Sequence, residues 1–413
     1  MNPMFLIPLV IALPVVAAFG QPGTCEDSSA LIEVSWKDTA YAGNALPDEV
    51  GVGPPAAVTA WADWCLAHEY QMTLLPDCRV LFITPEGNGK LKRELKLIKQ
   101  TMAEFDELLP APEREEVVMR DSPEDPGGDD VGGEIPEDPE GGLAGWQPAD
   151  QEPLPYSWDY EWGSGTWPVD TETCVMFVVH NEKDYGTLVD ALGEMEDYLK
   201  PWAATAKTRT GFVHEKPLVG AYIANAVGQE EWDPENELVH RIAQMLFVRR
   251  FASIQPYWLA QGFSWYLENE IRRSIYCFPY RSEFVFATEH TGWDNALRNA
   301  FNDRDKPLTP IEFTSWKRGK YEGDVAKVSY GLVGYIARYH PDAFTPFLEA
   351  MRLYALENSK EDLGNGSWGR NADYALSNTD QAKFMREYFG NDCFLEATEF
   401  FKKGKRYRPK KKK

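Results

Sequence analysis

Apolar residues recur at helical spacing from Ala56 to Leu75, where Trp61, Trp64, Leu66 and Tyr70 fall on one side, and the pattern predicts a first helix there. The period then changes. Arg79 to Thr84 is a β-type run, followed by a charged amphipathic helix from about Lys90 to Leu109 that Pro110 and Pro112 end. Thr173 to Val179 carries an unbroken apolar core, Cys-Val-Met-Phe-Val-Val, the composition of a strand covered on both faces. Asp184 to Tyr198 reads as a helix, with Tyr185, Leu188, Leu192, Met195 and Tyr198 at helical spacing, and Leu218 to Ala224 as another strand. From Asp233 onward the pattern is helical. Strong helices are predicted at 233–250 and 256–273, and further ones near 308–318, 326–340, 341–356, 378–388 and 393–403. This order predicts an α+β fold, a small α/β sheet region followed by a mostly helical lobe.

Composition changes that picture at three places. With 43% hydrophobic and 13% aromatic residues, the 413-residue chain can bury a sizeable core, which excludes global disorder. The formal charge of -23 is concentrated: between Ala111 and Glu152, 14 acids face only Arg114 and Arg120. The stretch 110–155 is rich in Pro, Gly, Asp and Glu, and is expected to be a disordered insert, because it cannot bury enough apolar surface to offset its ordering entropy. The remainder is mildly acidic, and nucleic acid is not expected as a partner without a basic footprint. Residues 402–413 hold nine basic side chains and no acid, which predicts a solvated, disordered tail.

The N-terminus predicts export. Phe5 to Phe19 is almost wholly apolar, and Ala18-Phe19-Gly20 is a small-x-small cleavage site before Gln21. No Lys or Arg precedes the run, so an uncleaved N-terminal membrane anchor is the alternative to a secreted or periplasmic location. No other stretch is apolar enough to span a bilayer. The domain bounds are thus 1–20 for the signal peptide, 21–109 for the N-terminal α/β part, 110–155 for the insert, 156–401 for the continued domain with its helical C-terminal lobe, and 402–413 for the tail. Six cysteines (Cys25, Cys65, Cys78, Cys174, Cys277 and Cys393) permit up to three disulfides in an exported chain, with Cys65 and Cys78 the first pair to test.

The candidate chemistry lies on the two strong helices. Asp233-Pro-Glu is a helix start, with Asp as N-cap and Pro at the first helical position. It launches Asn236-Glu237-Leu238-Val239-His240, and after a short connection comes Pro256-Tyr-Trp-Leu-Ala-Gln261-Gly262-Phe-Ser-Trp-Tyr266-Leu-Glu268. Positions 236 and 240 project from one helix face and can converge on one ion, while 237 points to the neighbouring side. The pair of segments resembles the signature of gluzincin-type zinc metallopeptidases, His-Glu-x-x-His followed by Pro-x-Trp-Leu-x-Glu-Gly-x-Ala-x-Tyr-x-Glu, and looks closest to exported peptidase-like domains of planctomycete-type bacteria. Lys327-Val-Ser-Tyr330 is similar to the tyrosine-bearing helix behind the site of these peptidases. The resemblance covers roughly residues 60 to 355.

The resemblance implies a zincin-like fold, with Glu237 as general base, His240 as metal ligand and Tyr330 as oxyanion stabiliser. It places Asn236 where the family has a ligating His, and Gln261 where it has a ligating Glu. Both are neutral amides, poor donors for zinc. The expectation is therefore a non-catalytic pseudopeptidase without a normal zinc site, which binds a peptide or protein or serves as a scaffold, with Trp258 and Tyr266 as cleft walls. Two alternatives stay open. One is an active zinc metallopeptidase with an atypical ligand set, in which Glu235, Glu268 or His290 rescues the site. The other is a surface-interaction protein using the insert and tail. The plainer reading of the same residues is that Asn236 and Gln261 hydrogen-bond each other and His240 is simply packed.

Overall fold

The computed structural model describes residues 34–36, 56–75, 79–112, 173–195, 199–215, 217–225, 233–252, 255–276, 292–304, 306–316, 323–362, 368–371 and 374–405. Residues 1–20, expected to be a signal peptide, all but the first three residues of the acidic insert, and the tail beyond 405 lie outside them, as do Cys25, Cys78, Cys277 and His290. The described residues fall into two units, the first holding those up to 359 and from 374 on, the second those between 360 and 371.

Seven short elements open the first unit: β1 (Val34–Trp36), α1 (Ala56–His68), β2 (Tyr70–Leu75), β3 (Val80–Pro85), α2 (Leu91–Leu108), β4 (Cys174–Val179) and α3 (Glu182–Met195). After α4 (Lys200–Ala206), β5 (Gly211–Glu215) and β6 (Leu218–Ile223), the chain turns helical with α5 (Pro234–Phe251), α6 (Tyr257–Arg272), α7 (Trp293–Asn302), α8 (Pro310–Thr314), α9 (Gly323–Tyr339) and α10 (Pro341–Asn358). The hairpin β7 (Lys360–Asp362) and β8 (Trp368–Arg370) belongs to the second unit, and α11 (Asn378–Phe389) and α12 (Cys393–Lys402) return to the first. The fold is α+β. A five-stranded mixed sheet runs in the order β2-β3-β4-β6-β5, lengthened at one edge by β1. Its centre, β3-β4-β6, is parallel, and β2 and β5 flank it antiparallel.

Both faces of this sheet are covered, which is why its strands read as continuous apolar runs. Leu81, Ile83, Val175, Phe177, Val179, Val219 and Ala221 join one core with Trp61 and Trp64 of α1 and Tyr185, Leu188 and Leu192 of α3. The alternate residues meet α5: at Gly220 an added Cβ would lie 2.6 Å from Met245 Sδ and 2.9 Å from Met176 Sδ. α5 thus lies against the sheet, α6 packs on α5, and α9 packs on α6.

One predicted element is corrected. The helix expected over 56–75 ends at His68; Glu69 takes φ 62°, and Tyr70–Leu75 is a strand paired with β3 from Tyr70↔Pro85 to Leu75↔Val80. All six of its residues are buried, so no alternation marked the change of period. Among the cysteines, Cys65, Cys174 and Cys393 are buried, and Cys78, the first partner to test for Cys65, lies outside the described residues. Cys65 sits in the sheet core between α1 and the strands, where burial pushes its thiol up to about 12. Among the described residues no helix is long and apolar enough to cross a membrane.

Candidate functional site

The first motif stands at the start of α5, as its sequence dictates. Asp233 Oδ1 accepts from the backbone N–H of Glu235 at 2.9 Å, and Pro234 opens the first turn. The α5–α6 contacts run from the beginning of α5 to the end of α6, so the helices are antiparallel. Asn236 meets Glu268, and further along, Phe247 meets Phe263 at 5.5 Å between ring centroids.

A fully buried carboxylate, Glu268, organises the site. Its Oε2 is 3.0 Å from His240 Nδ1, and its Oε1 accepts from Asn236 Nδ2 at 2.8 Å and from the backbone N–H of Tyr276 at 2.6 Å. Asn236 Nδ2 also donates to the Ser274 carbonyl at 2.7 Å. On the other side of the amide, Arg272 Nε donates to Asn236 Oδ1 at 3.2 Å. This orientation of the amide is dictated: turned over, its oxygen would face a carboxylate and a carbonyl, and its nitrogen a guanidinium. Asn236 is thus an adaptor between an anion and a cation. Burial pushes the Glu268 carboxyl above its usual range, opposed by the bonds from His240, Tyr276 and Asn236.

Arg272 extends the network. It holds Asp233 Oδ2 at 3.0 Å and Glu235 Oε2 at 2.7 Å, so the end of α6 is clamped to the start of α5. Arg93 of α2 grips Glu235 from the other side at 2.6 Å. Glu237, the residue in the general-base position, has no solvent exposure, and its Oε1 accepts from Arg241 Nε at 3.0 Å and Nη2 at 2.8 Å. A general base needs hydrogen-bond reach to the proton it takes. Here that oxygen is occupied by a guanidinium.

The structure brings Asn236 and His240 together, but through Glu268 and not Gln261. Gln261 lies two turns earlier on α6, about 10 Å along the axis at ordinary helical rise. Its Oε1 is buried with no hydrogen-bond partner among the described residues, so the expected Asn236–Gln261 bond is absent. Gly262 has a packing reason: an added Cβ would lie 2.7 Å from the Ser329 carbonyl oxygen of α9. Tyr330 is wholly buried, donates to Asp294 Oδ1 at 2.7 Å and accepts from Asn269 Nδ2 at 2.8 Å. Burial, with Asp294 beside it, pushes the phenol well above its usual range. Trp258 and Tyr266, expected as cleft walls, are enclosed instead. Trp258 Nε1 donates to Gln381, and the Tyr266 hydroxyl accepts from Arg338, because both sit between packed helices rather than along an open groove.

The donors present do not suit zinc. The Asn236 oxygen faces the Arg272 cation and Gln261 stands apart, so of the three positions only His240, whose Nδ1 is held by Glu268, keeps a nitrogen suited to the ion. Among the described residues no group of three or more His, Cys, Asp and Glu side chains is placed to hold a metal ion. Sequence reasoning missed Arg241 and Arg272. The first had a signal, an acid–Arg pair at i,i+4; the second joins Asn236 from 36 positions away and had none. No protein-family model matches the chain, and no curated protein is significantly similar to it.

Proposed function

We propose that this chain is an exported, gluzincin-like pseudopeptidase with a zincin-like fold, which binds a peptide or protein without cleaving it. The observation that carries this reading is the Glu268 knot. Of the two motif positions that would ligate a metal, Asn236 has its amide divided between Glu268 and Arg272 and His240 has Nδ1 on the same carboxylate, while Glu237 beside them is paired with Arg241. The helix pair, Gly262 and the tyrosine-bearing helix α9 serve as scaffold, packed closely on one another.

Zinc content and peptide hydrolysis of the purified full chain test the proposal. The expected result is no stoichiometric zinc and no chelator-sensitive cleavage. One tightly held zinc per chain, whose removal abolishes cleavage, would overturn it. A second reading, an active metallopeptidase with an atypical ligand set, is favoured by a single observation, the carboxylate of Glu268 lying 3.0 Å from His240 Nδ1. Glu237→Gln separates the two: it abolishes hydrolysis under the second reading, whereas under the first there is no hydrolysis for it to remove and only stability changes.

A further inference from the structure

The central strands β3, β4 and β6 are parallel, so their carboxyl ends, at Pro85, Val179 and Ile223, share one edge of the sheet. The crevice beyond such an edge is where open sheets of this kind take ligands. Here it holds a cavity of about 430 Å³, walled by Thr84, Pro85, Val178, Ala224 and Pro234, with Glu94 of α2 on its lining.

Glu94 is the unusual member. It is 6% exposed. Asn88 Nδ2 donates to its Oε2 at 2.6 Å and is itself fixed by Thr84 Oγ1 at 2.7 Å. The other carboxylate oxygen, Oε1, has no hydrogen-bond partner among the described residues, and it is not sealed in the interior: the side chain lines the cavity. A carboxylate this deeply buried is costly unless its charge is met. Burial pushes its carboxyl upward; Asn88 and Lys90 oppose that, and Glu235 adds to it. The nearby cations answer the need only in part. Arg93 is committed to Glu235, and Lys90, which lines the cavity with Glu86 and His180, is exposed to solvent that screens its charge.

We propose that this cavity binds an ammonium or guanidinium group carried on an aliphatic stem, with Glu94 as its counter-ion. Pro85, Val178, Ala224 and Pro234 supply apolar walls for the stem, and the open oxygen of Glu94 supplies the anchor at its end. An anionic ligand would meet Glu94 and Glu86 unpaired. The group has two sources, a lysine or arginine side chain of a peptide, or a free diamine or polyamine. The site is separate from the Glu268 knot and does not rest on the pseudopeptidase reading, so the zinc measurement leaves it untouched.

Calorimetric titration of the full chain tests it, with N-acetyl-lysine methylamide, N-acetyl-arginine methylamide, putrescine and spermidine as probes and N-acetyl-norleucine methylamide as the uncharged control. Saturable binding of at least one cationic probe is expected, with none for norleucine. Tighter binding of the amino-acid amides identifies a peptide source, and of the amines a free one. Glu94→Gln, which keeps the volume and the Asn88 contact, is expected to weaken binding about tenfold or more, the usual scale for a charged hydrogen bond. Should that variant fail to fold, Ala224→Trp, which puts an indole on the cavity lining, is expected to abolish binding. Failure of every cationic probe to bind, equal affinity for norleucine, or unchanged affinity in the folded Glu94→Gln or Ala224→Trp variant would overturn the proposal.

Discussion

Glu268 accepts three hydrogen bonds in a place with no solvent to replace them, and its removal leaves His240, Asn236 and the Tyr276 N–H facing one another. Breaking one side of a buried charged network costs about 3–5 kcal/mol. Glu268→Ala is therefore expected to lower the unfolding free energy by that order in urea denaturation, while an exposed substitution such as Lys90→Ala leaves it within about 0.5 kcal/mol. At this scale the site was partly legible. The phase of Asn236, Glu237 and His240 followed from helical geometry alone, and the Asp233 cap formed as its residue type predicts. What escaped was the identity of the partner. Glu268 and Gln261 lie on one helix seven positions apart, and sequence spacing cannot say which turn of α6 an antiparallel neighbour will meet.

Elements were read best where one face differed from the other. α2 carries its charges outside, Glu94 excepted, and Leu95, Ile98, Met102 and Phe105 inside, and its predicted limits fall within a residue of Leu91–Leu108. Strand β2 failed that test because every residue is buried, and β5 because its five residues are mostly half-buried. α4, seven residues with Pro at its start, was too short for a period to show; α7 was missed although Trp293, Leu297, Ala300 and Phe301 give it one buried face. Packing between elements gives a contrast to measure. At Gly262 a methyl group meets the backbone carbonyl of Ser329 and Val333 Cγ2 at 2.8 Å, whereas at Gly220 it meets the flexible ends of Met245 and Met176. Gly262→Ala is expected to destabilise by about 1–3 kcal/mol, the scale of overpacking, and Gly220→Ala by less, because a thioether swings aside and a helix backbone does not. Thermal melts of the two variants check the order.

For the molecule as a whole, the order of elements was enough to predict α+β, since a sheet covered on both faces announces itself as apolar runs and the helical lobe by its period. The redox state was not predictable from the cysteine count, because an even number says nothing about which side chains meet. Cys65, Cys174 and Cys393 are buried in separate parts of the core, and burial holds the Cys65 and Cys393 thiols near about 12. A thiolate is the species that alkylates. These three residues are therefore expected to resist iodoacetamide in the native chain at neutral pH and to react together as denaturant unfolds it, read residue by residue by peptide mass spectrometry.

Asn236 has one further consequence, and it concerns what the position tolerates. Its amide donates a hydrogen bond to Glu268 and accepts one from Arg272, so the side chain is fitted to two neighbours of opposite charge. A neutral histidine at that position has a single N–H, against the two amide hydrogens that Asn236 gives to Glu268 and to the Ser274 carbonyl, and so leaves a buried group unmet. Building a metal site here would therefore cost stability at the first substitution and need several coordinated ones. The amide acts as a lock on the arrangement around it.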